Sequence, residues 1–228
     1  MAGRITSGSD LEAAYAALIA GDPRLVAAAG AVGPLPLRLI EPGLPGLLRI
    51  VVAQQLSTSS AAAVWRRVED AFGHFDAASI AAAGEETLRR AGLSRQKART
   101  FEAVARAVTG GLDLRGLAEA EPDAARAALE AISGIGRWSA DLYLMFCAGH
   151  PDILPVGDLA VRRGAALALD RADPFDAQEL DAAGAVWSPY RSTAARLFYA
   201  YYAHVRRAAV RRPQPAAPVE AAAAAMPL

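Results

Sequence analysis

The stretch Leu129–Leu144, LEAISGIGRWSADLYL, decides how this chain folds, because it joins two apolar helical segments through only Ser133, Gly134, Ile135 and Gly136. Two glycines in so short a link permit positive φ and leave no Cβ to block close approach. The backbone N–H groups of the bend and of the following helix start can then converge on an anion such as a phosphate. Ile135, between the glycines, should tuck inward and pin the bend against its helices. A plain helical hairpin, with glycines serving only tight packing, reads equally from these residues alone.

Working outward, almost every segment carries a helical signature. Upstream, Asp10 is placed to cap LEAAYAALIA and Asp22 to cap PRLVAAAG, with Pro23 at the tolerated first position. The Pro- and Gly-rich VGPLPLRLIEPGLPG then reads as a connector. LPGLLRIVVAQQL from Leu44 is apolar on most faces and predicts a central buried helix, followed by Ser57, Thr58 and Ser59 as caps for AAAVWRRVEDAFG. EETLRRAG ends near Gly92, Ser94 caps RQKARTFEAVARAVTGG, and Pro122 opens the first helix of the bend. Downstream, HPDILPVG is a loop, Asp158 begins LAVRRGAALALD, and two helices cover roughly 176–186 and 190–208. No fixed-period repeat and no strand alternation is present. The fold class read from this is all-α, with two helical subdomains around a cleft. One comprises 1–41 and 146–212, the other 42–145 with the helical hairpin at 125–149, and the low-complexity tail 213–228 should be flexible.

Composition narrows the function. The 228 residues are 54% hydrophobic and 21% charged with a formal net charge of zero, enough to bury a core and with no global pull toward a polyanion. Contact with nucleic acid must therefore come from local arginines or backbone N–H groups. The single cysteine, Cys147, cannot form an internal disulfide or hold an iron–sulfur cluster, and His74, His150 and His204 lack zinc spacing. No metal site is expected from side chains, no apolar run reaches membrane length, and a cytoplasmic location is expected, nucleoid-associated in a bacterium.

The hairpin core Ile132, Gly134, Ile135, Gly136, Arg137 and Ala140 resembles the helix-hairpin-helix signature of the base-excision DNA glycosylase superfamily (HhH-GPD). LPVGDLAVRRG resembles the segment where that superfamily carries its aspartate, at Asp158. A helix from Trp138 to Gly149 rises about 18 Å and the loop to Gly157 reaches roughly 26 Å, so Asp158 can return toward the hairpin. VVAQQLSTSSAA at 51–62, GLSRQKA at 92–98 and WSPYRSTAARLFYAYY at 187–202 are similar to the DNA-3-methyladenine glycosylase II family. A compact form is expected from the resemblance, with too few residues before Leu44 for the N-terminal β domain some members carry.

The resemblance implies excision of alkylated purines of the 3-methyladenine and 7-methylguanine type from double-stranded DNA by a monomer, without a required cofactor. Hairpin carbonyls would hold a sodium or potassium ion. Asp158 would be the catalytic carboxylate, a role compatible with capping the helix it precedes. Bifunctional relatives carry a lysine after the hairpin arginine, whereas Trp138 stands here, so water becomes the nucleophile and no strand cleavage follows. Trp138 and Tyr199 correspond to pocket aromatics; Leu142, with Tyr143 beside it, stands where some members have tyrosine. Ser133, Gly134, Ile135, Gly136 and Arg137 would meet DNA, and Gln55, Leu56 and Ser57 are candidates to fill the gap left by an extruded base, Ser57 being equally a helix cap. Arg191, Arg196, Arg206, Arg207, Arg211 and Arg212 form an acid-free run that suits either phosphates or a solvated face. Two other readings stay open: a glycosylase for deaminated, oxidised or mismatched bases, and a non-catalytic DNA-binding protein.

Overall fold

The computed structural model describes residues 2–211, with side chains to residue 209; the expected tail at 213–228 and Arg212 lie outside them, as does the Arg211 side chain. Among the described residues there are helices and no strand. The helices are α1 (Gly8–Gly21), α2 (Val26–Val32), α3 (Leu44–Ala53), α4 (Thr58–Phe72), α5 (Ala77–Arg90), α6 (Arg95–Thr109), α7 (Pro122–Glu130), α8 (Arg137–Phe146), α9 (Leu159–Ala168), α10 (Ala177–Gly184) and α11 (Arg191–Arg211).

The caps explain most boundaries. Ser57, Ser94 and Asp158 each accept a hydrogen bond from the first turn of the helix they precede. At α1 the expected cap was one turn late. Ser7 accepts from the Asp10 N–H, and Asp10 reaches back to the Ser7 N–H, so Asp10 is the far partner of a capping box. Helix α5 begins eight residues before the expected EETLRRAG, capped by Asp76 and broken at Gly84, whose φ of 71° interrupts the helical pattern.

The pairs that pack most extensively fall into two sets. Helix α11 packs on α9, α2 and α1, while α3 packs on α6, α4 and α8, with α5 on α6 and α7 on α8. One apolar cluster runs through both, from Leu47 and Val51 of α3 through Phe101 of α6 and Leu144 of α8 to Trp187 and Phe198. Helices α9 and α11 approach backbone to backbone at Gly164, where a Cβ would lie 2.2 Å from the Phe198 carbonyl oxygen. That contact fixes α9, and with it the residue at its N-terminus.

Candidate active site

Two helical stripes face each other across a cleft of about 590 Å³. Trp138, Leu142 and Phe146 line it from α8 at spacing four, and Arg196, Tyr199, Ala200, Ala203, His204 and Arg207 line it from α11 at spacings of three and four. The end of α2 and the connector close one side with Val32, Pro34, Pro36, Arg38 and Ile40, while α3 supplies Ile50, α4 supplies Trp65 and the turn between them supplies Leu56. Ile40 is tied to α8 by its N–H donating to the Phe146 carbonyl at 2.9 Å.

Asp158 lies on the cleft wall, half-buried, and three N–H groups hold it. Its Oδ1 accepts from the Ala160 and Val161 N–H groups at 2.8 and 3.2 Å, and its Oδ2 accepts from Trp138 Nε1 at 2.7 Å. One carboxylate thus caps α9 and receives the indole that heads α8. A group bonded on both oxygens has one rotamer, which leaves its charge aimed without reorganisation. Tyr199 stands beside it, its hydroxyl pushed well above the usual phenol range by burial and then by the Asp158 carboxylate. It remains a neutral donor.

The hairpin sits at the head of α8. Ser133, Gly134, Gly136 and Arg137 are exposed, while Ile132 and Ile135 are buried and pin the bend. Gly136 begins α8 with no side-chain cap, so the first-turn N–H groups face outward without a protein acceptor of that kind. Gly134 has φ of 89°, and a Cβ there would lie 1.9 Å from Thr100 Oγ1, so the bend rests directly on α6. Behind it, Asp141 is fully buried. Arg126 of α7 donates to it at 2.8 Å and Arg137 Nε lies 3.6 Å away; burial nonetheless pushes its carboxyl upward.

The turn after α3 is bolted to this hairpin. Gln54 Nε2 donates to the Gly134 carbonyl at 3.2 Å and to Ser139 Oγ at 2.9 Å. Lys97, the single lysine, donates from Nζ to the Val52 and Gln54 carbonyls, both at 2.7 Å. Burial lowers its affinity for a proton. Held this way, Gln55 adopts φ of 56° and Leu56 is 41% exposed at the cleft edge, while Ser57 Oγ is engaged in capping α4.

The structure brings Asp158, Trp138, Leu142, Tyr199 and Leu56 to one cleft and the hairpin to the head of its α8 wall. Gln55 and Ser57 do not line the cleft, and Tyr143 is fully buried, its hydroxyl accepting from the Gly43 N–H at 2.8 Å and donating to the Leu114 carbonyl at 2.9 Å. The sequence reading missed Phe146, Trp65, the connector residues and the inward position of Arg196. Phe146 was available from spacing, four residues beyond Leu142; Trp65 and the connector had no local signal.

This all-helical fold, with a glycine-built hairpin leading into one wall of an aromatic cleft and a braced carboxylate on its rim, defines a class. The family description "HhH-GPD superfamily base excision DNA repair protein" matches residues 48–185, and the chain belongs to that superfamily. It is 32% identical over 124 residues to DNA-3-methyladenine glycosylase 1 of Schizosaccharomyces pombe, a match covering 52% of this chain and 54% of that protein. The chain therefore spans about half the length of that curated relative. It superposes on the DNA-3-methyladenine glycosidase of Bacillus halodurans with a TM-score of 0.74 at 30% identity, covering 83% of this chain and 89% of the other. The S. pombe 3-methyladenine DNA glycosylase in complex with abasic DNA shares the fold, with a TM-score of 0.75, 24% identity and coverage of 82% and 94%.

Proposed function

We propose that this protein is a monofunctional DNA glycosylase that extrudes an alkylated purine from the duplex and hydrolyses its N-glycosidic bond. The observation that carries this reading is the Asp158 carboxylate, fixed at the cleft by α9 and by Trp138 Nε1 at 2.7 Å. As the C1′–N bond breaks, its electron pair leaves with the base and positive charge grows on the deoxyribose. A carboxylate already aimed at that charge stabilises it, and water completes the substitution at C1′ by losing a proton. A purine carrying a fixed positive charge leaves as a neutral base, which suits a site with one carboxylate and no paired acid.

Trp138 offers no amine for a Schiff base, and Lys97 Nζ is occupied by two carbonyls. The product is then an intact abasic site. Exposed hairpin N–H groups and Arg137 suit a phosphate, and Leu56 is the apolar side chain best placed to fill the gap in the stack. A relative of the same fold carries abasic DNA, in keeping with this arrangement. The hairpin offers a cation backbone carbonyls only, with Gly134 O already accepting from Gln54; that donor set suits a singly charged ion, which would bridge to a phosphate. No chemical step depends on it.

The test is base release by the protein, as a monomer, from methylated duplex DNA, alongside duplexes carrying hypoxanthine, uracil or 8-oxoguanine. Release of 3-methyladenine or 7-methylguanine, with strand breaks appearing only after hot alkali, is expected. Breaks before alkali overturn the monofunctional reading, preference for another base overturns the substrate class, and no release from any duplex leaves a DNA-binding protein.

A further inference from the structure

Arg196 is a charged side chain placed where a charge is unfavourable. It is 5% exposed, on the cleft stripe of α11 one turn before Tyr199. Its terminal nitrogens donate to the Arg38 and Met145 carbonyls at 3.0 and 3.1 Å. Nε makes no hydrogen bond among the described residues, and no carboxylate pairs with the guanidinium there. Burial lowers its pKa to about 10, so it remains a cation at neutral pH. A buried cation without a counter-ion opposes folding, and an apolar side chain of similar length would fill the same space without that penalty.

Its surroundings suggest what the charge does. The guanidinium lies 4.8 Å from the centroid of the Phe146 ring, and Phe146 is tilted against Tyr199 with centroids 6.2 Å apart. Aromatic walls attract a cationic base through their quadrupole, but this stretch of wall already carries a cation. From Trp138 to Phe146, α8 rises about 12 Å, so a base whose sugar lies by Asp158 points its far edge toward Phe146 and Arg196. Any positive charge on that base meets a like charge across a pocket walled by Trp138, Leu142, Phe146 and Tyr199.

We propose that Arg196 is a specificity-determining residue that narrows the pocket's advantage for bases with a fixed positive charge over uncharged lesions of the same size, such as etheno and deaminated purines. This rests on the reading of the cleft as a base pocket. The charge also opposes the sugar cation, but equally for every substrate, so a ratio of rates isolates its effect on the base.

The experiment compares the second-order rate constant, measured below saturation and so counted from free duplex, for release of 7-methylguanine and 1,N6-ethenoadenine by wild type, Arg196→Met and Arg196→Lys, with melting curves to confirm folding. Two unit charges roughly 8 Å apart at the effective dielectric of a partly buried site change the ratio by at most about thirtyfold. Arg196→Met should raise the ratio of 7-methylguanine to ethenoadenine release, while Arg196→Lys should keep it within threefold of wild type. A methionine variant whose ratio stays within threefold, or a lysine variant that shifts as far as methionine does, overturns the proposal. Should the methionine variant fail to fold, wild type alone decides. A duplex with 2′-fluoro-stabilised 7-methylguanine should bind no more than threefold tighter than one with its neutral isostere 7-deaza-7-methylguanine, and tighter binding of the cationic one by more than that overturns the proposal. If wild type releases no base at all, the glycosylase reading fails, and the binding comparison still reads the charge preference.

Discussion

Replacing Gly134 with alanine tests how the hairpin is seated. At φ of 89° an L residue is strained by about 1–2 kcal/mol. The added Cβ would lie 1.9 Å from Thr100 Oγ1 and 2.9 Å from both Thr100 Cβ and Cγ2. Rotating the Thr100 side chain moves Oγ1 and Cγ2 but not Cβ, so the bend must lift from α6. Overpacking of that kind costs about 1–3 kcal/mol. The sum, about 2–5 kcal/mol, corresponds for a chain of this size to a fall in Tm of about 4–20 °C. Gly136→Ala is the internal control, since nothing lies within 4 Å of a Cβ there and its φ is −104°; its Tm should hardly move. Adding Thr100→Ala to Gly134→Ala should recover part of the packing loss and none of the φ strain. Thermal melts of the four proteins decide the matter. A Gly134→Ala protein melting within 1–2 °C of wild type, on the same scale, refutes the seating described here.

Two further predictions follow from named contacts. Trp138→Phe keeps the aromatic face and deletes the donor to Asp158; charge-assisted hydrogen bonds of this sort are worth about 1.5–3 kcal/mol, so single-turnover base release should fall about 10- to 150-fold. Unchanged turnover would mean the indole does not aim the carboxylate. Asp22, 6% exposed, accepts from Arg24 and from Trp187 Nε1, and these bonds, Arg24 first, hold its carboxyl down to about 2 against an ordinary 3.8. Its contribution, at most about 2 kcal/mol, is complete above pH 4 and lost as pH falls through 2. Urea unfolding at pH 5, 3 and 2 should show a shallower acid loss for Asp22→Asn than for wild type, and equal slopes would contradict the pairing.

Much of the architecture was legible because helix ends announce themselves locally. Ser57, Ser94 and Asp158 were readable as caps, whereas Ser7 and Asp10 belong to one capping box, and both residue types favour the cap position, so the order of roles was not evident. The first half of α5 was hidden by Gly84, which separates two short helical runs. Within the site, neighbours in sequence diverge in space: a helix turns about 100° per residue, so Leu142 shares the cleft face of Trp138 while Tyr143 points into the core. Arginines were the hardest to read. Arg191 is half-buried in an ion pair with Asp152 at 2.8 Å, and Arg196 is buried with its terminal nitrogens on the Arg38 and Met145 carbonyls, so one member of the run is tied to a carboxylate and another is internal. Such burial depends on partners far away in the chain, and no local pattern encodes it.

Asp158→Asn tests the central claim most directly, because asparagine is as good a helix cap as aspartate and leaves an oxygen for α9 while removing the charge. A carboxylate about 4 Å from a sugar cation, at the effective dielectric of a partly buried site, is worth about 4 kcal/mol, or roughly a thousandfold in rate. Single-turnover release of methylated purine should therefore fall about a thousandfold in a protein that still folds and still binds the duplex. Release within tenfold of wild type by a folded Asp158→Asn protein, well short of that thousandfold, would contradict the account.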